Sequence, residues 1–241
     1  MFHCSTIIKI ELSIKKLFTI QSFQAAFFVS NIDLSDRLAV ANTIKNALSP
    51  ILDGIPTIPP FTDDIPLEIP RITLTNKSGN VICNIAGNRI DLIYEETNSK
   101  NTPINTIKSF FSILEPLSIT ISKKISNVSN RLALVTNYKT HSSIDGLKLL
   151  KSKYLSDEKD ASIELQIHKL SKEKILQFQV NNWLRLIAKN GGKKKEGQFL
   201  IISDINTLKD AKYKIALPNI MRYFEEAFSL SQKTALDVIK K

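Results

Sequence analysis

Apolar residues occupy every second position at Ile8, Ile10, Leu12 and Ile14, with Lys9, Glu11 and Ser13 between them, which is the period of a strand with one buried face. Phe18 to Val29 reads as a second strand. The period then lengthens: Leu38, Ala41, Ile44, Ala47, Leu48 and Leu52 recur at helical spacing. This predicts a helix capped by Asp33 or Ser35 and stopped near Pro50 and Gly54. Pro56, Pro59, Pro60, Pro66 and Pro70 crowd the next stretch, DGIPTIPPFTDDIPLEIP. Prolines so close together exclude a helix or a central strand and predict an extended surface connection.

Arg71 to Thr75, Val81 to Ile85 and Arg89 to Tyr94 are short strand-like runs separated by SGN and GN. The spacing predicts a three-stranded antiparallel meander in which Gly79 and Gly87 take positive φ at the turns. Ile104, Ile107, Phe110, Phe111 and Leu114 form an amphipathic helix that Pro116 is expected to end, and RLALVTNY, Arg131 to Tyr138, is a strand. The theme then recurs without the sequence recurring. Asp145 to Leu155 is helical, Ile163 to Ile167 alternates, one long strand runs from Ile175 to Ala188, and Phe199 to Ile202 pairs with it. Tyr213, Ile215 and Leu217 alternate once more, and Pro218 starts a final helix carrying Ile220, Phe224, Ala227, Phe228 and Leu230. The fold class is α+β, antiparallel sheets with helices packed on one face, in two intimately packed halves, residues 1–141 and 142–241.

With 241 residues and 43% of them hydrophobic, the chain can bury a substantial core. Its apolar runs are too short to span a bilayer and its start lacks the apolar core of a signal peptide, so a cytoplasmic protein with no membrane partner is expected. Cys4 and Cys83 are too few for a disulfide framework or a four-cysteine zinc site and read as ordinary thiols. The net charge of +10 and a pI near 9.5 favour polyanions. That charge is mostly lysine, however, whereas readers of bases and phosphates lean on the bidentate fork of arginine.

The densest charge lies in NGGKKKEG, residues 190–197. Between two strands this reads first as a solvated hairpin tip. The sharper reading makes Lys193, Lys194 and Lys195 phosphate contacts, with Arg185 and Trp183 on the outward side of the preceding strand completing a candidate nucleic-acid site, because an exposed aromatic beside cations can stack on an unpaired base.

Catalytic patterns are sparse. His3, His141 and His168 lack partners at metal-ligand spacing, and the phosphate-loop, dinucleotide-turn and nucleophile-elbow motifs do not occur. No cofactor, metal or catalytic residue is therefore expected. One metal-dependent alternative is a nuclease in which Glu164, in Glu164-Leu165-Gln166, joins Asp145, Asp157 or Asp160 around a magnesium ion, although the lysine usual to such motifs is missing.

IPRITLTNKSGNVICNIAGNRIDLIYEE, IKSFFSILEPL, RLALVTNY and NIMRYFEEAFSLSQKTALDVI, in that order, resemble a sporadically distributed family of uncharacterised bacterial proteins, over about residues 66–241. Arg131, Asn137 and Tyr138 match its middle strand pattern, and Phe224, Glu225, Phe228 and Ser229 approximate its last helix. The resemblance implies an α+β fold, no catalytic residues to carry over, and accessory or mobile-element-borne roles, phage defence among them. The expected function is a non-enzymatic binding or assembly subunit that works with a partner protein in a bacterial defence or stress cassette. A basic nucleic-acid-binding protein is the alternative, and self-association is left open.

Overall fold

A computed structural model describes residues 17–60, 65–98, 101–126, 129–141, 143–155, 163–190, 197–209 and 217–240. The strand expected at Ile8 to Ile14 lies outside them, as do Cys4, His3, Asp157, Asp160, Tyr213, Ile215 and the three lysines of NGGKKKEG. In chain order the elements are β1 (Phe18–Phe28), α1 (Arg37–Ala47), β2 (Ile72–Thr75), β3 (Val81–Ile85), β4 (Arg89–Glu95), α2 (Pro103–Thr120) with a π-helical turn (Ile121–Ile125), β5 (Arg131–Thr140), α3 (Gly146–Tyr154), β6 (Glu164–Ile175), β7 (Phe178–Lys189), β8 (Gln198–Thr207) and α4 (Leu217–Ile239).

The order strand, helix, three strands, helix thus occurs twice, and the second round begins with β5. All strands among the described residues belong to one antiparallel eight-stranded sheet, in the order β2-β3-β4-β1-β5-β8-β7-β6. Read inward from either edge, the two halves are the same arrangement, meeting where β1 pairs with β5 from Phe18 with Thr140 to Phe28 with Arg131. A bulge at Gln21 interrupts that ladder and frees the Gln21 carbonyl to accept from the backbone N–H of Glu96.

Alternation along each strand sends one set of side chains under the helices. Phe18, Ile20, Phe23 and Phe27 of β1 lie beside Leu132, Leu134 and Tyr138 of β5 and Ile201 and Ile205 of β8, all at most 2% exposed. The two long helices cover this face. Phe110 of α2 stacks on Phe23 at 4.5 Å between ring centroids, while Phe228 and Phe224 of α4 meet Phe23 and Phe27 at 5.6 and 5.3 Å. Fully burying aromatic side chains contributes about 2–3 kcal/mol each, so this cluster at the joint between the halves is a main source of cohesion. Tyr223 of α4 donates its hydroxyl toward the carbonyls of Leu132 (3.1 Å) and Ile205 (2.9 Å), fixing the helix to β5 and β8 at once. Tyr138 and Ser231 exchange a further buried hydrogen bond at 2.8 Å.

Local departures from the sequence expectations have identifiable causes. The cap of α1 is Asp36, whose side chain accepts from Ala39 N–H at 2.9 Å, while Asp33 accepts from Ser35 N–H; Leu38, placed on the buried stripe by spacing, is 58% exposed. Pro116 does not end α2, because Leu117, Ser118 and Ile121 continue the buried stripe beyond it. Burying two large apolar side chains outweighs the roughly 3 kcal/mol cost of a helical proline. Gly79 has φ of 73°, as a tight turn demands, but Gly87 does not take positive φ. Its need is close approach: a Cβ there would come within 2.8 Å of Leu67 Cδ2. The long strand expected from Ile175 starts at Phe178, since Ile175 ends β6 and Leu176, at φ 52°, turns the chain. Leu217 opens α4.

Replacing Tyr223 with Phe keeps the ring in place and strips two buried carbonyls of their shared donor. It should lower unfolding stability by about 1–3 kcal/mol, read as a shifted midpoint with an unchanged slope in urea unfolding.

Candidate binding face

The second face of the sheet carries no helix among the described residues, since α1 to α4 all pack on the other side. Its side chains lie in rows set by strand register. One row passes through Asp91, Ala26, Ala133, Asn206, Asn181 and Lys172; the next through Ile93, Gln24, Val135, Asp204, Trp183 and Leu170; a third through Ser22, Asn137, Ile202, Arg185 and His168.

The inner strands of this face are closed by their own polar contacts. Arg89 pairs with Asp91 at 2.7 Å, and Gln24 donates to the same carboxylate at 3.1 Å. Phe28 lies between Arg89 and Arg131, each guanidinium carbon 4.9 Å from the ring centroid. Arg131 also donates to Asn206 at 2.9 Å, and Asn206 donates to Asp204 at 3.0 Å. Cation–π and ion-pair geometry of this kind holds the side chains in single positions.

The outer strands, β6 and β7, differ. Trp183 is 43% exposed and Leu170, its direct cross-strand partner, 45%. Arg185 faces His168 across the same ladder, and Lys172 and Lys174 follow along β6. Beyond the backbone ladder, no side-chain hydrogen bond or ion pair ties Arg185, His168, Lys172 or Lys174 to another described residue. Arg185 and Trp183, singled out from the sequence, therefore stand together on the open face. His168, Leu170 and Lys172 were missed because only strand pairing shows them as neighbours; the sign available in advance was that they share the alternation of Glu164 and Gln166. Lys193, Lys194 and Lys195 lie outside the described residues, although β7 and β8 do pair as the hairpin that would carry them.

Glu164 sits at the start of β6, bridged to Lys189 at 3.1 Å and accepting from Gln166 at 2.8 Å. The Gln166 hydrogen bond, with Lys189 beside it, holds its carboxyl below the usual range. Asp145 is occupied as the cap of α3, accepting from Lys148 N–H at 3.0 Å. Among the described residues no three His, Cys, Asp or Glu side chains converge. Cys83 is buried under the helices, and burial pushes its thiol up to about 12.

Two clefts open at one end of the sheet. A cavity of about 520 Å³ lies between α3 and the β7–β8 ends, lined by Asp145, Lys148, Lys151 and Lys189. Another of about 400 Å³ is lined by Glu96, Asn101, Thr106, Lys139 and His141. Glu96 organises the second. Burial raises its pKa, but donors from Asn101 (3.0 Å), the Asn98 backbone (2.8 Å), Thr106 (2.8 Å) and Tyr94 (3.4 Å) outweigh that and hold the carboxyl below its ordinary value. A carboxylate so committed fastens the α2 entrance to β4 and is a poor proton donor.

The arrangement is that of an α+β protein in which, among the described residues, helices cover one face of the sheet and not the other. Compared with protein-family models and with curated proteins, the chain matches none. Among the described residues no helix is long and apolar enough to cross a membrane.

Since the folded pKa of Glu96 lies below its unfolded value, its stabilisation is present above the unfolded pKa and lost as pH falls through the folded one. Glu96→Gln should therefore lower the unfolding midpoint at pH 7, and the gap to wild type should close as pH drops below the carboxylate range. Thermal unfolding of both proteins across a pH series checks this.

Proposed function

We propose that this protein is a non-catalytic binding subunit that seats a macromolecular partner on the open face of its sheet. One observation carries the reading: among the described residues the helices cover one side of an eight-stranded sheet and leave the other without a helix, with Trp183 and Leu170 exposed there and Ile202, Ile187 and Leu200 part-exposed around them. Apolar and aromatic side chains gathered on an uncovered face mark interaction surfaces. Among the described residues Asp91, Glu164 and Asp204 on this face are engaged by Arg89, Lys189 and Asn206, and no three potential metal ligands converge, which favours binding over catalysis. Work within an assembly fits the resemblance to a sporadic bacterial family, and a defence or stress cassette is the setting that resemblance suggests.

The test compares capture by tagged wild-type chain, Ile202→Glu on the open face and Lys108→Glu on the helix-covered side, with equal unfolding midpoints established first. Partner, protein or nucleic acid, should be retained by wild type and Lys108→Glu and reduced at least about tenfold by Ile202→Glu, since a charge buried unpaired in an interface costs several kcal/mol. Equal retention by all three chains would overturn the open face as the recognition surface.

A further inference from the structure

Resting on that reading, we infer that the partner of the β6–β7 part of the open face is single-stranded nucleic acid, its bases stacked on Trp183 and its phosphates met by Arg185, Lys172 and Lys174. On the open side of these two strands the charged residues are Lys172, Lys174, Arg185, Lys189 and Glu164, and Glu164 is neutralised by Lys189. Among the described residues three cations thus remain without a carboxylate, in a chain whose net charge is +10. The nearest acid on β8, Asp204, stands beside Trp183 but is taken by Asn206.

Trp183 lies in the row between Lys172 and Arg185, on the penultimate strand, with about two-fifths of its surface exposed. A flat aromatic flanked by cations offers a stacking face for any unpaired base and an electrostatic track for its backbone. A duplex hides its base faces and could use the cations alone. On the inner strands Arg89 and Arg131 are locked against Phe28, Asp91 and Asn206, and Lys139 stands apart near the end of β5, so the unengaged cations beside Trp183 are those of the outer strands.

Trp183 is the only tryptophan, so its fluorescence reports on this site alone. Wild-type protein would be titrated with oligothymidylate of about 12 nucleotides, within the span such surfaces cover, with a duplex of equal length and poly-glutamate as comparisons. Oligothymidylate should quench Trp183, and poly-glutamate should not. By anisotropy of a labelled oligonucleotide, Trp183→Ala should weaken binding about 5- to 100-fold, the worth of one stacked base, and Trp183→Phe should restore most of it. Arg185→Ala, and Lys172→Ala with Lys174→Ala, should each weaken binding and flatten its dependence on salt by about one ion per removed cation. Unfolding midpoints equal to wild type would exclude misfolding as the cause.

Three results would overturn the proposal: no quenching at about 0.1 M salt, where phosphate contacts still act; Trp183→Ala binding as tightly as wild type, which would place the nucleic acid elsewhere; or poly-glutamate binding as tightly, which would assign an acidic protein partner. If oligonucleotides fail while Ile202→Glu still abolishes capture, the open face stands as the recognition surface and its partner is a protein.

Discussion

Because β1 and β5 pair antiparallel along nearly their whole length, two units of strand, helix, three strands and helix become one sheet instead of two. Each unit alone is a four-stranded sheet whose first strand is an edge, and an unpaired edge is a template for association. Joining the units through those first strands removes both edges from the middle of the molecule. The remaining edges differ: β2 is four residues long and is partly covered by the proline-rich connection through Gly54 and Thr57, whereas β6 is twelve residues long and studded with lysines.

The same seam decides where the helices go. The helices of both units pack on the same side of the joined sheet, where their buried side chains share one core. Phe23 and Phe27 of β1 then meet α4 of the other unit, and Tyr223 of α4 reaches β5 and β8 together. The core is a single body for this reason. The cost is a second face with no helix over it among the described residues, whose inner part is made water-tolerant by Arg89, Asp91, Gln24 and Asn206.

Much of this was legible from periodicity. Alternation marked the start of β6 and most of β7, helical spacing marked α1, α2 and α4, and short runs between turn residues marked the β2 to β4 meander, while β1, β5, β8 and α3 were expected as elements without a period being counted. Two kinds of feature were not legible. Where burial outweighed a local rule, as at Pro116 within α2, the rule alone misplaced the end of the element. Where a strand lies at an edge, its polar residues outnumber the apolar ones. Lys169, Ser171, Lys172, Glu173 and Lys174 hid the second half of β6, because water can solvate both faces and one backbone side there. The candidate site was half visible: Trp183 and Arg185 share a strand and His168 shares the alternation of Glu164 and Gln166, but only the β6–β7 pairing sets Leu170 and Lys172 beside them.

The two halves share an architecture and divide its uses. In the first, the strands equivalent to β6 and β7 are β2 and β3, of four and five residues, and their open-face side chains are Thr73, Thr75, Ile82 and Asn84, with Thr73 bonded to Asn84. In the second, both strands reach twelve residues and bear the exposed aromatic and the unengaged cations. Lengthening a strand pair adds open-face positions without altering the buried register, since each added pair of residues contributes one side chain to either face. A repeated fold can therefore keep one half as a brace and let the other acquire a surface, and the placement of Trp183, Arg185, Lys172 and Lys174 on the longer half fits that division.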